Sequence, residues 1–472
     1  MNRRPGILWA VVAGAALTAC APIGVVPTGE AHPVSTPAAG PGAASSAAPP
    51  PPSLSFEIER CDEAPPVDFA VMCELFRDVV DLYVDPVEPE ALAAAASLGM
   101  AAVDTDPAAE IPAPGFRCVV PDEAFDALCD QMVQRFTTSP ATIAALMEGA
   151  VHGMFRYALD PFSTYLAGSA LDAPVDTSGV VLELGMSVGA RDPSGAACSP
   201  IGGECRLLVL SVFDFGAAAE QGVAPDDVIV MIDGRPVEGL SGSEATVTLF
   251  GDPGTGILLT IDRDGNQSDR SLVRRDVRLE PAEFEMMGDV AYLRLNDFSQ
   301  VAAQALGAVL QTEEVSNALG ILLDMRDNPG GLVLAAQAVA SQFLDGGEVL
   351  VERGRSFEES LDVLPGGLAV DGPQMVVLVN RGTASSAEIV AAVLQERGRA
   401  LVVGEPTFGK NLVQLVEPTR DGGQVALTIA RWSTPGGLDI GLRGLQPDIV
   451  VEWDPADGGD PILDAGLAMM GG

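Results

Sequence analysis

The 472-residue chain carries 26 basic and 66 acidic side chains, for a formal net charge of −40, and 25 of the basic residues are Arg, leaving Lys410 as the single lysine. A chain this acidic, with no basic cluster, lacks the positive stripe that nucleic-acid binding requires and is repelled by an anionic membrane surface. A hydrophobic content of 47% at this length predicts two or three globular domains, and His32 and His152 as the only imidazoles argue against multi-His metal sites and Ser-His-Asp hydrolysis.

At the N-terminus, Arg3 and Arg4 precede an apolar run, Gly6 to Ala19, that ends in Leu17-Thr18-Ala19-Cys20. The run is shorter than the roughly 20 residues a bilayer-spanning helix needs, and its basic start and small-residue end have the form of a secretory signal. Cys20 directly after the small residues makes residues 1–20 resemble a bacterial lipoprotein signal, which implies lipidation of Cys20 and a lipid-anchored location in the cell envelope. Residues 21–60 are rich in Pro, Ala, Gly and Ser, with too little apolar surface to offset the entropy of ordering, and read as a disordered tether that contains His32. Six further cysteines suggest disulfides in an exported chain, and the sequence-near pairs Cys61–Cys73, Cys118–Cys129 and Cys198–Cys205 are the simplest arrangement. None forms a CxxC pair, which disfavours zinc and dithiol redox chemistry.

Residues 61–170 read as helical: Phe69, Met72, Phe76, Val79 and Val80 recur at helical spacing, Leu92 to Val103 is Ala-rich, and Ala141 to Ala158 forms a further helix. The segment Pro107 to Arg117 reads as a loop. His152 lies among Val151, Met154 and Phe155, as a structural histidine would. Residues 171–280 change to short apolar runs separated by turns, with strands expected at Val180-Val181-Leu182, Leu207 to Val212, Val228 to Ile232 and Ile257 to Ile261. A short helix starts at Gly216, and Asp233-Gly234 makes a hairpin turn. This order, and above all Gly222 to Val237, resembles a PDZ domain, which holds a peptide C-terminus in backbone amides. The resemblance places the carboxylate loop at Ser178-Gly179-Val180-Val181. Asp226 stands where such domains usually have Gly.

Residues 281–472 alternate strands (Val290 to Leu295, Gly320 to Met325, Met375 to Asn380, Leu401 to Gly404) with helices (Gln300 to Leu310, Leu332 to Leu344, Ser386 to Glu396), which predicts an α/β domain with parallel pairing. The whole is therefore multidomain α+β. Three segments of the last domain suit acyl transfer. In Arg326-Asp327-Asn328-Pro329-Gly330-Gly331, a Gly pair after a strand lets bare backbone amides approach a ligand. In Gly382-Thr383-Ala384-Ser385-Ser386-Ala387-Glu388, a serine sits at a helix N-terminus, where free amides favour developing negative charge. Thr407 to Gln414 follows a strand and holds Lys410. A serine nucleophile needs a base, and neither His is placed to supply one. Lys410 is the candidate, and to act it must be neutral near pH 7, well below its ordinary ~10.4, through burial beside Phe408, Leu412 and Val413.

Gly382 to Ile389 and Gly404 to Gln414 together resemble the signature of the carboxy-terminal processing peptidases, or tail-specific proteases, of family S41. The likeness runs from Phe69 to the end and takes in Asp160-Pro161-Phe162-Ser163-Thr164-Tyr165-Leu166, Asn328-Pro329-Gly330-Gly331 and Gly444-Leu445-Gln446-Pro447-Asp448-Ile449. In that family the serine precedes the lysine by 25 residues and a glutamine follows by four, which selects Ser385, Lys410 and Gln414 here. The resemblance implies Ser385 as nucleophile, Lys410 as general base, Gln414 orienting the lysine, and an oxyanion hole from the amides of Ser386 and the Gly330-Gly331 turn. It also implies a crotonase-like catalytic domain and no metal or organic cofactor. Ala387 replaces a common Ser, and Asn411 replaces the usual Gly after the lysine.

The function expected is a serine endopeptidase cleaving exported proteins near their C-termini, with protein substrates that bear unstructured apolar tails. The PDZ domain would recognise those tails or gate the site. Two readings compete: an inactive PDZ scaffold that binds protein tails, disfavoured by the intact Ser385, Lys410 and Gln414, and a crotonase-like CoA enzyme, disfavoured by the PDZ insertion and export signal. Whether an adaptor or a homo-oligomer takes part stays open, as does the natural substrate.

Overall fold

The computed structural model describes residues 67–103, 123–138, 143–168, 180–181, 183–213, 216–277, 280–453 and 458–470. The signal with Cys20, the tether with His32, Pro107 to Arg117, Cys61, Cys118, the side chain of Cys129, and Gly179 lie outside these residues. Among the described residues no helix is long and apolar enough to cross a membrane.

The helical region contains α1 (Val67–Leu82), α2 (Pro89–Ala101), α3 (Glu123–Thr138) and α4 (Ile143–Ala158), followed by β1 (Thr164–Leu166). Helices α2 and α4 meet through glycines: a Cβ on Gly153 would lie 2.4 Å from the Ala95 carbonyl oxygen, so only a bare backbone permits this contact. Met72, Leu92, Leu128 and Met154 are wholly buried between the helices, and the core continues onto Val425 and Leu427 of the last domain.

The next elements are β2 (Val180–Val181), β3 (Met186–Arg191), β4 (Arg206–Val212), α5 (Ala217–Glu220), β5 (Val228–Ile232), β6 (Arg235–Pro236), α6 (Gly242–Leu249), β7 (Gly256–Arg263) and β8 (Asn266–Val273). They make an antiparallel sheet in the order β2-β3-β4-β5-β7-β8, with β6 on β5. Helix α6 starts in a capping box, with Ser241 and Glu244 reciprocally satisfying each other's backbone amides. Val180 and Val181, read from the sequence both as a strand and as part of the carboxylate loop, form β2 and pair with Ser187 and Met186. The tight turn lies just beyond them, where Gly185 takes φ +72°. Cys198 and Cys205 are joined in a disulfide, and Cys73 is disulfide-bonded.

The last domain runs β9 (Ala282–Met287), β10 (Val290–Leu295), α7 (Gln300–Leu310), α8 (Glu313–Ser316), β11 (Gly320–Asp324), α9 (Val333–Ala340), β12 (Glu348–Gly354), β13 (Glu358–Asp362), β14 (Gln374–Val379), α10 (Ser386–Glu396), β15 (Ala400–Gly404), β16 (Leu412–Pro418), β17 (Gln424–Ser433), β18 (Ile449–Val450) and α11 (Pro461–Met469). One sheet has the order β18-β15-β14-β11-β10-β9, parallel except between β9 and β10. Its central strands β11 and β14 are apolar and buried, as expected of a parallel sheet covered on both faces. A second sheet, β1-β17-β12-β13 with β16 on β17, takes in β1 from the helical region.

Two ion-paired contacts help to hold the PDZ domain on the rest of the chain. Glu244 Oε1 accepts from His152 Nδ1 at 2.8 Å and Arg156 Nη2 at 2.7 Å on α4. Burial opposes a charge on His152, but Glu148 and Glu244 outweigh it and push its pKa up to about 9. The second contact joins Asp226 to Arg381, with Nη1 at 2.6 Å and Nη2 at 3.2 Å from its two oxygens.

Candidate active site

Strand β14 delivers the chain into the loop Asn380 to Ser385, and α10 begins at the following residue. Ser385 sits at the N-cap with φ 53° and ψ −118°, a backbone state that side chains other than Gly rarely adopt. Its surroundings over-determine it. The Ala384 amide donates to the Asn328 carbonyl at 2.9 Å, the Phe408 amide to the Thr383 carbonyl at 2.9 Å, and Thr383 Oγ1 to the Met325 carbonyl at 2.9 Å. Strain held this way by three hydrogen bonds to two neighbouring segments is a hallmark of functional loops.

Glu388, one turn into α10, is wholly buried and joins the serine loop to the lysine loop. Its Oε2 accepts from the Ser385 amide at 2.8 Å and the Lys410 amide at 2.9 Å. Its Oε1 accepts from the Gly409 amide at 2.7 Å and from the Thr407 hydroxyl. Because both amides reach one oxygen, the Ser385 and Lys410 nitrogens lie less than about 6 Å apart. Burial pushes the Glu388 carboxyl above its ordinary range, and the four donors offset only part of that cost. No role was assigned to Glu388 from the sequence, although Ser385-x-x-Glu388 is the spacing of a capping box.

Lys410 is half-buried at the end of the loop that leaves β15. Its carbonyl accepts from Trp432 Nε1, and its Nζ lies 5.8 Å from the centroid of the Phe162 ring. Phe162 packs with Phe408, Leu412 and Ala384 and with Leu210 of the PDZ domain. Gln414 Nε2 donates to the Phe162 carbonyl at 2.8 Å and so fixes the aromatic residue beneath the lysine. Phe162 is itself set by Asp160, whose Oδ1 accepts the Phe162 and Ser163 amides. Asn411 is buried and gives its side-chain amide to Asp439 at 2.6 Å. The left-handed residue of this loop is Gly409, φ +88°, so the Asn in place of the usual Gly needs no such backbone.

The Gly330-Gly331 turn packs directly on the serine. A Cβ on Gly330 would lie 2.8 Å from Ser385 Cβ and 2.9 Å from the Ser386 nitrogen, which excludes every other residue type there. The Gly330 amide is occupied by Asn328 Oδ1 at 2.9 Å, so of this pair only Gly331 has its amide uncommitted among the described residues. Ser386 Oγ donates to the Gly331 carbonyl at 2.9 Å, drawing the turn toward the first amide of α10. Asn380 braces the two loops, accepting from the Asp327 amide and donating Nδ2 to Asp327 Oδ1 at 2.8 Å. The PDZ domain also reaches the site: Arg191 on β3 donates Nη2 to the Phe408 carbonyl at 2.8 Å and lies 4.2 Å from that ring's centroid. Among the described residues no group of three His, Cys, Asp or Glu is arranged to hold a metal.

A profile of peptidase family S41 matches residues 289–451, and a PDZ-domain profile matches residues 183–272. The chain is 36% identical over 319 residues to a carboxy-terminal-processing protease of Bartonella bacilliformis, covering 65% of this chain and 70% of that one. It is 32% identical to the carboxy-terminal processing protease CtpA of Bacillus subtilis, covering 68% of this chain and 66% of that one, just under two thirds. Among solved structures it resembles a photosystem II D1 C-terminal processing protease, with a TM-score of 0.60 and 25% identity over 82% of this chain and 94% of that one.

Proposed function

The chain belongs to the S41 family of carboxy-terminal processing proteases, which are serine peptidases, and on that premise we propose that it is an endopeptidase working through a Ser385–Lys410 pair. Ser385 Oγ attacks the scissile carbonyl carbon while Lys410 Nζ, neutral at that moment, takes the hydroxyl proton. The tetrahedral oxyanion is received by backbone amides at Ser386 and Gly331, with the α10 dipole behind them. Lys410 then passes the proton to the leaving amine, the C–N bond breaks, and an acyl ester remains on Ser385. Water, deprotonated by the same lysine, hydrolyses that ester and restores the serine. The observation that carries this reading is Glu388, which binds the Ser385 and Lys410 amides to one carboxylate oxygen. Gln414 acts by holding Phe162, on whose ring the lysine rests.

The substrates in this reading are exported proteins with unstructured apolar C-terminal tails, and Cys20 is lipidated to anchor the enzyme at the envelope. The PDZ domain gates the site. Support for gating comes from Arg191 and Leu210, which the domain places against Phe408, and from Asp226, which grips Arg381 four residues before the serine.

The test is cleavage of a folded protein carrying such a tail by wild type, Ser385→Ala, Lys410→Ala and Lys410→Arg. Wild type should cut within the tail, and all three variants should fall by at least about 10³-fold, Arg included because it is never neutral at this pH. Retained cutting by Ser385→Ala or Lys410→Arg overturns the assignment. Tail binding without cutting by wild type favours a scaffold.

A further inference from the structure

Between the PDZ domain and the α/β domain lies a cleft of about 780 Å³ whose wall is unlike the rest of this acidic chain. Four arginines line it, Arg191, Arg206, Arg381 and Arg443, together with three acids, Asp192, Glu204 and Asp226. The acids are largely committed. Asp192 Oδ1 accepts from the amide and hydroxyl of Ser194 and from the Ala196 amide, and Asp226 is taken by Arg381. A chain of net charge −40 thus gathers four of its 25 arginines on one concave surface.

Two features of those arginines are costly to the fold. Arg191 and Arg206 stand directly opposite each other on β3 and β4, where like charges destabilise a sheet. Arg191 is also buried, at 6% exposure, yet its Nη1 has no hydrogen-bond partner among the described residues. Burial lowers its pKa to about 10, which leaves it charged at neutral pH. A buried charged donor without an acceptor is costly, and the group that satisfies a guanidinium best is a carboxylate with its two coplanar oxygens. Asp226 already shows that chemistry in this cleft, with both oxygens on Arg381.

We propose that the cleft is a carboxylate-recognition subsite for the substrate, taking an acidic side chain or the terminal carboxylate of the tail. This rests on the peptidase reading above, because the cleft wall includes Arg381 from the serine loop and Thr407 and Phe408 from the lysine loop. An occupant therefore lies within a few residues of both reacting groups. It also competes with Asp226 for Arg381, so that binding there loosens one of the two ion-paired contacts that hold the PDZ domain down.

Binding is measured on the full-length Ser385→Ala protein by fluorescence anisotropy, with four labelled peptides: an apolar tail containing two Asp, its Asn counterpart, and the C-terminal amide of each. The Asp peptide should bind about tenfold more tightly than the Asn peptide, with the advantage shrinking as salt is raised. In the Arg206→Gln/Arg443→Gln double variant the ratio should fall to about twofold or less. If the Asp and Asn peptides bind alike and both weaken about tenfold on amidation, the terminal carboxylate is the group recognised. Equal binding of all four peptides, or an advantage that survives the double variant at full size, overturns the subsite. Because the readout is binding by a protein lacking the Ser385 hydroxyl, it stands apart from the peptidase reading, which is decided by the cleavage assays on wild type and the Ser385 and Lys410 variants.

Discussion

Asp324 and Glu388 are both wholly buried carboxylates in the same parallel α/β layer, one ending β11 and the other in the first turn of α10. They are satisfied in opposite ways. Asp324 is held by guanidinium: Arg326 donates Nε and Nη2 to it, Tyr292 adds its hydroxyl at 2.8 Å, and Arg294 stands 3.6 Å away. Burial raises the Asp324 pKa, but the two arginines outweigh that and hold it below the ordinary range. Glu388 has only dipoles, three backbone amides and a hydroxyl, and burial wins. The first arrangement is a fixed strut under the sheet. The second is a joint between two loops, those that carry Ser385 and Lys410.

The largest effect should come from breaking the joint. Glu388→Ala leaves three backbone amides and a hydroxyl without their acceptor in a sealed site, each costing about 1–3 kcal/mol if unmet. The loops then separate, so tail cleavage should fall by at least about 10²-fold, with a stability loss of about 3 kcal/mol or more in urea titrations. Asp324→Asn should cost similar stability, about 3 kcal/mol, because Arg326 keeps only Asp460 as an ionic partner. The folded fraction of that variant should nevertheless cleave within about threefold of wild type. Activity lost from Asp324→Asn in excess of stability would erase the distinction between strut and joint.

The pH dependence of stability sharpens it further. Asp324 has a folded pKa below its ordinary 3.8, so its contribution is present above that value and lost as pH falls through the folded pKa. Glu388 has a folded pKa above its ordinary 4.5, so its contribution is complete below that value and declines as pH rises through the folded pKa. The stability gap between wild type and Asp324→Asn should therefore close on acidification. The gap between wild type and Glu388→Gln should narrow in the other direction, as pH rises from 4.5. Denaturant midpoints across that range measure both, and slopes of the same sign would contradict the assignment of partners.

Much of this layer was legible from residue pattern. The apolar run at β14 and the small residues after it placed strand, loop and helix nearly to the residue. What pattern missed was satisfied at long range. Strand β3, Met186-Ser187-Val188-Gly189-Ala190-Arg191, has no alternation to read, because Phe408 and α6 bury both its faces from outside the segment. Phe162 could be seen in its motif but not placed, since the Gln414 amide that fixes it lies 252 residues away. Arg191, Asn328 and Asn380 carry no local signal, for their partners come from other segments.

A third carboxylate, on the surface, gives the smallest effect. Asp226 sits at φ 69°, where Gly is at ease, and its side chain is 65% exposed in its pairing with an Arg381 that is 29% exposed. An ion pair so open to water is worth about 0–1 kcal/mol, and relief of the left-handed backbone returns a similar amount. Asp226→Gly should therefore leave stability within about 0.5 kcal/mol of wild type. The same change removes one of the two ion-paired contacts holding the PDZ domain, and it frees Arg381 beside the Ser385 loop. Cleavage of an acidic tail should rise by about threefold while stability stays level, a separation that neither buried carboxylate allows. If cleavage instead falls, the Asp226–Arg381 pair supports the serine loop rather than restraining the domain above it.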